Sequence, residues 1–82
     1  MNINDLLDEL KRLGIPSSWF SLEDKGVIDY KTCLRLIDNQ WTIFYSERGG
    51  KYKVKICESE EAACKELLLR MKVKQERDKQ LS

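Results

Sequence analysis

Histidine is missing from this chain of 82 residues. Its absence removes the commonest general base and the commonest zinc ligand, and with them the histidine forms of nucleophilic catalysis. Cysteine is scarce and odd in number: Cys33, Cys57 and Cys64, with no CxxC spacing. A disulfide framework, a zinc site and a thioredoxin-type motif all lack support. The three thiols read instead as small, reduced, mostly buried residues of a cytoplasmic protein. No apolar run approaches the ~20 residues a membrane span requires. The opening MNINDLLDEL has neither a basic region nor an apolar one, so no secretory signal is expected there. These absences predict a cytoplasmic protein that is not an enzyme and carries no metal and no cofactor.

What is present is the composition of one globular domain, 41% hydrophobic and 35% charged. A domain this small buries only about 60% of its unfolded surface, so nearly every large apolar residue is needed for the core. The net charge of +1 hides a blockwise pattern. Residues 1–30 carry three basic and six acidic side chains, for −3; residues 31–57 carry six and two, for +4. Residues 58–69 carry one and four, for −3, and residues 70–82 carry five and two, for +3. Only the fold decides whether such clusters along the chain become patches in space.

The spacing of Ile3, Leu6, Leu7, Leu10 and Leu13 predicts a helix over 3–13, with Asn4 as N-cap and Gly14 and Pro16 as the stop. Residues 15–31 read as irregular, with Trp19, Phe20 and Leu22 as anchors. Three strands follow at 33–37, 41–46 and 51–56, separated by the turn Asp38-Asn39-Gln40 and the hairpin Glu47-Arg48-Gly49-Gly50. In the last strand Tyr52, Val54 and Ile56 alternate with Lys51, Lys53 and Lys55. A second helix starts near Ser59, its apolar face made of Cys64, Leu67, Leu68 and Met71. Beyond Val73 the sequence has no apolar face. The expected fold is α+β in the order α-β-β-β-α: a three-stranded antiparallel meander with two helices packed on one face. The whole chain, 1–82, is a single domain with a core over 1–73 and a solvated extension over 74–82.

Two helices cover one side of a three-stranded sheet. The other side is then expected to carry Arg35, Lys51, Lys53 and Lys55. Trp41, Ile43 and Tyr45 share one face of the middle strand, and Thr42, Phe44 and Ser46 the other, so an aromatic would lie among the lysines either way. The order α-β-β-β-α is also similar to that of the double-stranded-RNA-binding domain. That family places lysines at the start of its second helix, where this chain has Glu58, Ser59, Glu60 and Glu61. Carboxylates there repel phosphate and argue against nucleic acid. A single-strand binder would instead use the lysine face, with Trp41 or Tyr45 as a stacking platform.

From Phe20-Ser21-Leu22, through Trp41 and Tyr45-Ser46-Glu47-Arg48-Gly49, to Ser59-Glu60-Glu61-Ala62-Ala63-Cys64, the chain resembles a group of small bacterial proteins. These are the immunity proteins of polymorphic or contact-dependent growth-inhibition toxin systems. In them a W-x-V-x-Y-[YS]-E-R-G-like hairpin precedes an [ST]-E-x-x-A-C helix start. The resemblance runs from Ser18 to Leu69. The chain departs from the pattern at Ile56, where a phenylalanine is usual, and in the charge of Lys51-Tyr52-Lys53. The resemblance implies a binding protein that covers the active site or substrate cleft of a cognate toxin in the cytoplasm. Many such toxins are nucleases with basic clefts, for which carboxylates are suited partners. Glu23, Asp24 and Asp29 in the long loop, and Glu58, Glu60 and Glu61 at the helix start, are then the candidate contacts. The hairpin residues Glu47 and Arg48, flanked by the lysine face, offer an alternative surface, and Trp41 and Tyr45 are further candidate contacts. The other readings are a nucleic-acid module using the lysine face, and a homodimer that buries its uncovered sheet face against itself.

Overall fold

The structure, a computed structural model, describes residues 1–23, 26 and 28–81, Leu81 by its backbone alone. The first helix, α1, spans Ile3–Arg12. Its cap is Asn2 and not Asn4: the Asn2 side chain accepts from the backbone N–H of Asp5, whose carboxylate accepts from the backbone N–H of Asn2. This reciprocal pair satisfies two N–H groups at once, which a cap two residues later would leave open. After a short 3₁₀ turn at Ser17–Trp19 comes β1, Phe20–Ser21, and then β2, Lys31–Ile37; β3, Gln40–Glu47; β4, Gly50–Cys57; and the helix α2, Glu60–Leu81.

The fold is α+β, and the sheet is four-stranded and mixed, in the order β1-β2-β3-β4. The meander of β2, β3 and β4 is antiparallel, while β1 pairs parallel to β2 through Phe20↔Thr32 and Ser21↔Cys33. The expected three-stranded sheet therefore lacked a strand. A two-residue strand has no alternation to detect; it exists because Phe20 is buried and Arg35 reaches across to it. The Arg35 guanidinium donates to the Ser21 carbonyl at 2.9 Å and to its hydroxyl at 2.7 Å.

The core lies between the sheet and the helices. Leu6 and Leu10 of α1 join Leu34, Ile43, Leu67 and Met71, all with 1% exposure or less. Burying a leucine in this way contributes about 1.5–3 kcal/mol. Trp41 and Cys57 pack against the same cluster, which puts Trp41, Ile43 and Tyr45 on the helix side. Ser59 caps α2 as expected, its hydroxyl accepting from the Ala62 N–H at 3.1 Å. The helix runs on past Val73 to Leu81. Gln75 donates to the Leu13 carbonyl at 2.8 Å, and the Lys74 ammonium sits 5.0 Å from the centre of the Trp19 ring.

The strict alternation of β4 does not survive. Ile43 pairs with Lys55 but Tyr45 with Tyr52, so one extra residue is accommodated in β4 opposite Phe44. Lys53, in this β-bulge, has φ of 54°. A bulge reverses side-chain parity along a strand. Lys51 consequently shares a face with Val54 and Ile56, while Tyr52 and Lys55 share the helix side. The expected grouping of Lys51, Lys53 and Lys55 with Arg35 is thus corrected: Lys55 pairs with Glu66 of α2 at 3.1 Å. The aromatic on the face away from the helices is Phe44, but it is only 2% exposed and lies 4.9 Å beneath the Lys51 ammonium. Leu22 and Ile28, from the connection between β1 and β2, share with Phe44, Arg35 and Lys51 a hollow of about 530 Å³. That face is partly covered, and Cys33, Thr42 and Ser46 are buried on it.

Candidate interaction surface

The hairpin joining β3 to β4 has a two-residue loop, Arg48-Gly49, closed by the pair Glu47↔Gly50. Both loop residues have positive φ, 50° and 80°. Such a loop matches the right-handed twist of its strands, and glycine removes the steric penalty at the second position. The local rule thus explains why Gly49 is there. Arg48 is exposed and Glu47 half-buried.

The acidic candidates are not gathered into one patch. β4 runs roughly 23 Å from the hairpin to the start of α2. Glu58, Glu60 and Glu61 stand at the far end, with Trp41, while Glu47 and Arg48 stand at the hairpin end. The parallel register of β1 carries Glu23 toward the Trp41 end, whereas Asp29 precedes β2 at the hairpin end. Asp24 lies outside the described residues. Glu23, Asp29 and Glu58 are exposed. Glu60 is engaged internally: its carboxylate accepts from the Ile3 backbone N–H at 3.0 Å and fastens the start of α1 to the start of α2. Glu61 lies 3.3 Å from Lys65 and 3.9 Å from the terminal ammonium, and the hydrogen bond from Lys65 holds its carboxyl below the usual range.

The two aromatic candidates are also placed by packing. Trp41 is half-buried and packs against the core, and its remaining surface lines the hollow shared by Phe44, Arg35 and Lys51. Tyr45 is half-buried, and burial, followed by the nearby Glu47 and Tyr30, pushes its phenol up. Burial likewise raises all three thiols, Cys33, Cys57 and Cys64, above their ordinary value, so thiolate is disfavoured. All three are free.

The surface with the strongest unmet chemistry lies elsewhere. Lys51 through Ile56 are all exposed, and Tyr52, Val54 and Ile56 keep 52%, 54% and 57% of their surface in solvent. Among the described residues β4 is an outer strand, bonded to β3 on one side only, so its second edge presents unpaired backbone groups. On the helix side a groove of about 410 Å³ runs between the second half of α2 and the hairpin half of the sheet, lined among others by Tyr45 and Lys53. Arg70, Lys74 and Arg77 line it from the helix, with Leu69 and Val73 as apolar neighbours. In the sequence these cations fall in two separate blocks, and nothing local to either block brings them together. The bulge that turns Lys53 toward α2 carries no sequence signature.

Among the described residues no group of three or more acidic or cysteine side chains is placed to hold a metal ion. No helix among them is long and apolar enough to cross a membrane. Compared with protein-family models, curated proteins and solved structures, the chain matches none.

Proposed function

We propose that this chain is a non-catalytic, cytoplasmic binding protein that neutralises a cognate bacterial toxin by covering its active site or substrate cleft, as the resemblance to immunity proteins implies. The observation that supports a binding role is the outer strand. A domain of 82 residues has few apolar side chains to spare, yet Tyr52, Val54 and Ile56 contribute nothing to the core. Exposed apolar residues rimmed by lysines at a free sheet edge suit a protein partner. The contact is therefore assigned to β4 and the adjoining hairpin, Glu47 and Arg48 included. Glu60 and Glu61 are assigned instead to holding the helices in place.

The test is a growth assay. The product of the adjacent reading frame is expressed alone and with this protein, and complex formation is followed by pull-down. Rescue through a stable complex is expected, and Val54→Asp with Ile56→Asp should weaken that complex by about 2 kcal/mol or more while leaving the fold intact. A harmless, non-binding neighbour would sink the immunity reading. Binding unaffected by the double change would move the contact off β4.

A further inference from the structure

The charge blocks of the sequence alternate in sign, and the fold brings the two positive ones together. Lys53, from the strand block, faces Arg70, Lys74 and Arg77, from the terminal block, across the groove between β4 and α2. None of the described residues lining that groove is acidic. Two of its cations are offset locally, Arg70 by Glu66 at 2.8 Å and Lys74 by the Trp19 ring. Lys53 and Arg77 have no ion-pair partner among the described residues. The Nη1 of Arg70 is shielded from solvent and has no hydrogen-bond partner among the described residues, so it is turned away from the open groove.

We propose that this groove receives an acidic segment of a partner protein, an Asp or Glu side chain flanked by an apolar one; this rests on the reading of the chain as a protein-binding domain. The carboxylate would lie among Lys53, Arg70 and Arg77. The flanking apolar side chain would meet Leu69 and Val73, which keep 57% and 43% of their surface exposed. The two aliphatic walls suit the side chains of a peptide, whose acidic and apolar groups would each find a partner there. A second copy of this chain is a poorer occupant. Its acidic block has Glu60 and Glu61 already engaged, and Glu66 is held between Lys55 and Arg70.

The experiment is an amide chemical-shift titration of the full chain at low ionic strength with a capped octapeptide of alternating glutamate and leucine. The same peptide with glutamine in place of glutamate, and an oligouridylate of equal charge, serve as comparisons. Saturable shifts confined to Thr32, Tyr45, Lys53 and residues 69–77 are expected, with binding weakened about tenfold in Lys53→Glu, Arg77→Glu. Both changes are on exposed side chains, and thermal melting confirms that the double variant is folded; Lys53→Gln, Arg77→Gln serves if it is not. Several results would overturn the proposal. These are shifts elsewhere, equal binding of the glutamine peptide, tighter binding of the oligouridylate at the same residues, or concentration-dependent shifts there without peptide, which would mark self-association. The titration uses no toxin. Failed peptide binding with intact growth rescue overturns the groove alone, and peptide binding without rescue overturns only the immunity reading.

Discussion

β3 and β4 are adjacent strands of eight residues each, both rich in β-branched and aromatic side chains, and they have opposite fates. In β3, Thr42, Ile43, Phe44 and Ser46 are buried, on both faces. In β4 every residue from Lys51 to Ile56 is exposed. β3 has a strand on each side, α2 over one face, and Lys51 over Phe44 on the other. β4 has one neighbour strand and lies at the rim. Alternation predicts which residues share a face, but only position in the sheet decides whether that face is covered.

Substituting the same residue type in the two strands tests this contrast most directly. Ile43→Ala should cost about 2–5 kcal/mol in urea unfolding, since it empties a fully enclosed site. Ile56→Ala should stay within about 0.5 kcal/mol. Comparable losses at the two positions would mean that β4 is covered in solution. The hairpin between the strands offers a smaller effect. Gly49 has φ of 80° and open space where a Cβ would stand, so Gly49→Ala should lose about 1 kcal/mol through backbone strain alone. A neutral result would show that the loop readily adopts another turn.

The smallest effect concerns the ion pairs that join β4 to α2. Burial raises the Glu66 carboxyl, but hydrogen bonds from Arg70 and Lys55 outweigh it and hold the group below its ordinary value. A carboxyl lowered in the folded state stabilises fully above its unfolded pKa, and that contribution is lost as pH falls through the folded value. Melting temperatures between about pH 6 and pH 3 should therefore fall less steeply for Glu66→Gln than for the parent. Parallel curves would remove Glu66 from the acid response.

Much of this arrangement was legible from residue spacing. Leu6 and Leu10, and Cys64, Leu67 and Met71, sit where helical periodicity puts them, because each helix has a single face to bury. The meander followed from its turns, Asp38-Asn39 and Arg48-Gly49, where short polar residues and glycine admit positive φ. Hidden features were the ones that depend on distant partners. Phe20–Ser21 becomes a strand only beside Thr32 and Cys33. The candidate site suffered more, since Glu60 looked like an available carboxylate until its acceptor role toward Ile3 was visible. Lys53 and Arg77 lie 24 positions apart in the sequence, and nothing local connects them.

The bulge at Lys53 has a consequence for solubility. A long, regular outer strand with apolar side chains is a template on which further chains can stack into fibrils. Here the ladder is interrupted midway by a residue in a left-handed conformation, with lysines at 51, 53 and 55 along the same strand. A like strand arriving in register would meet a kinked backbone and matched positive charge. An irregularity in one peptide unit thus lets the strand stay bare without templating the stacking of further chains.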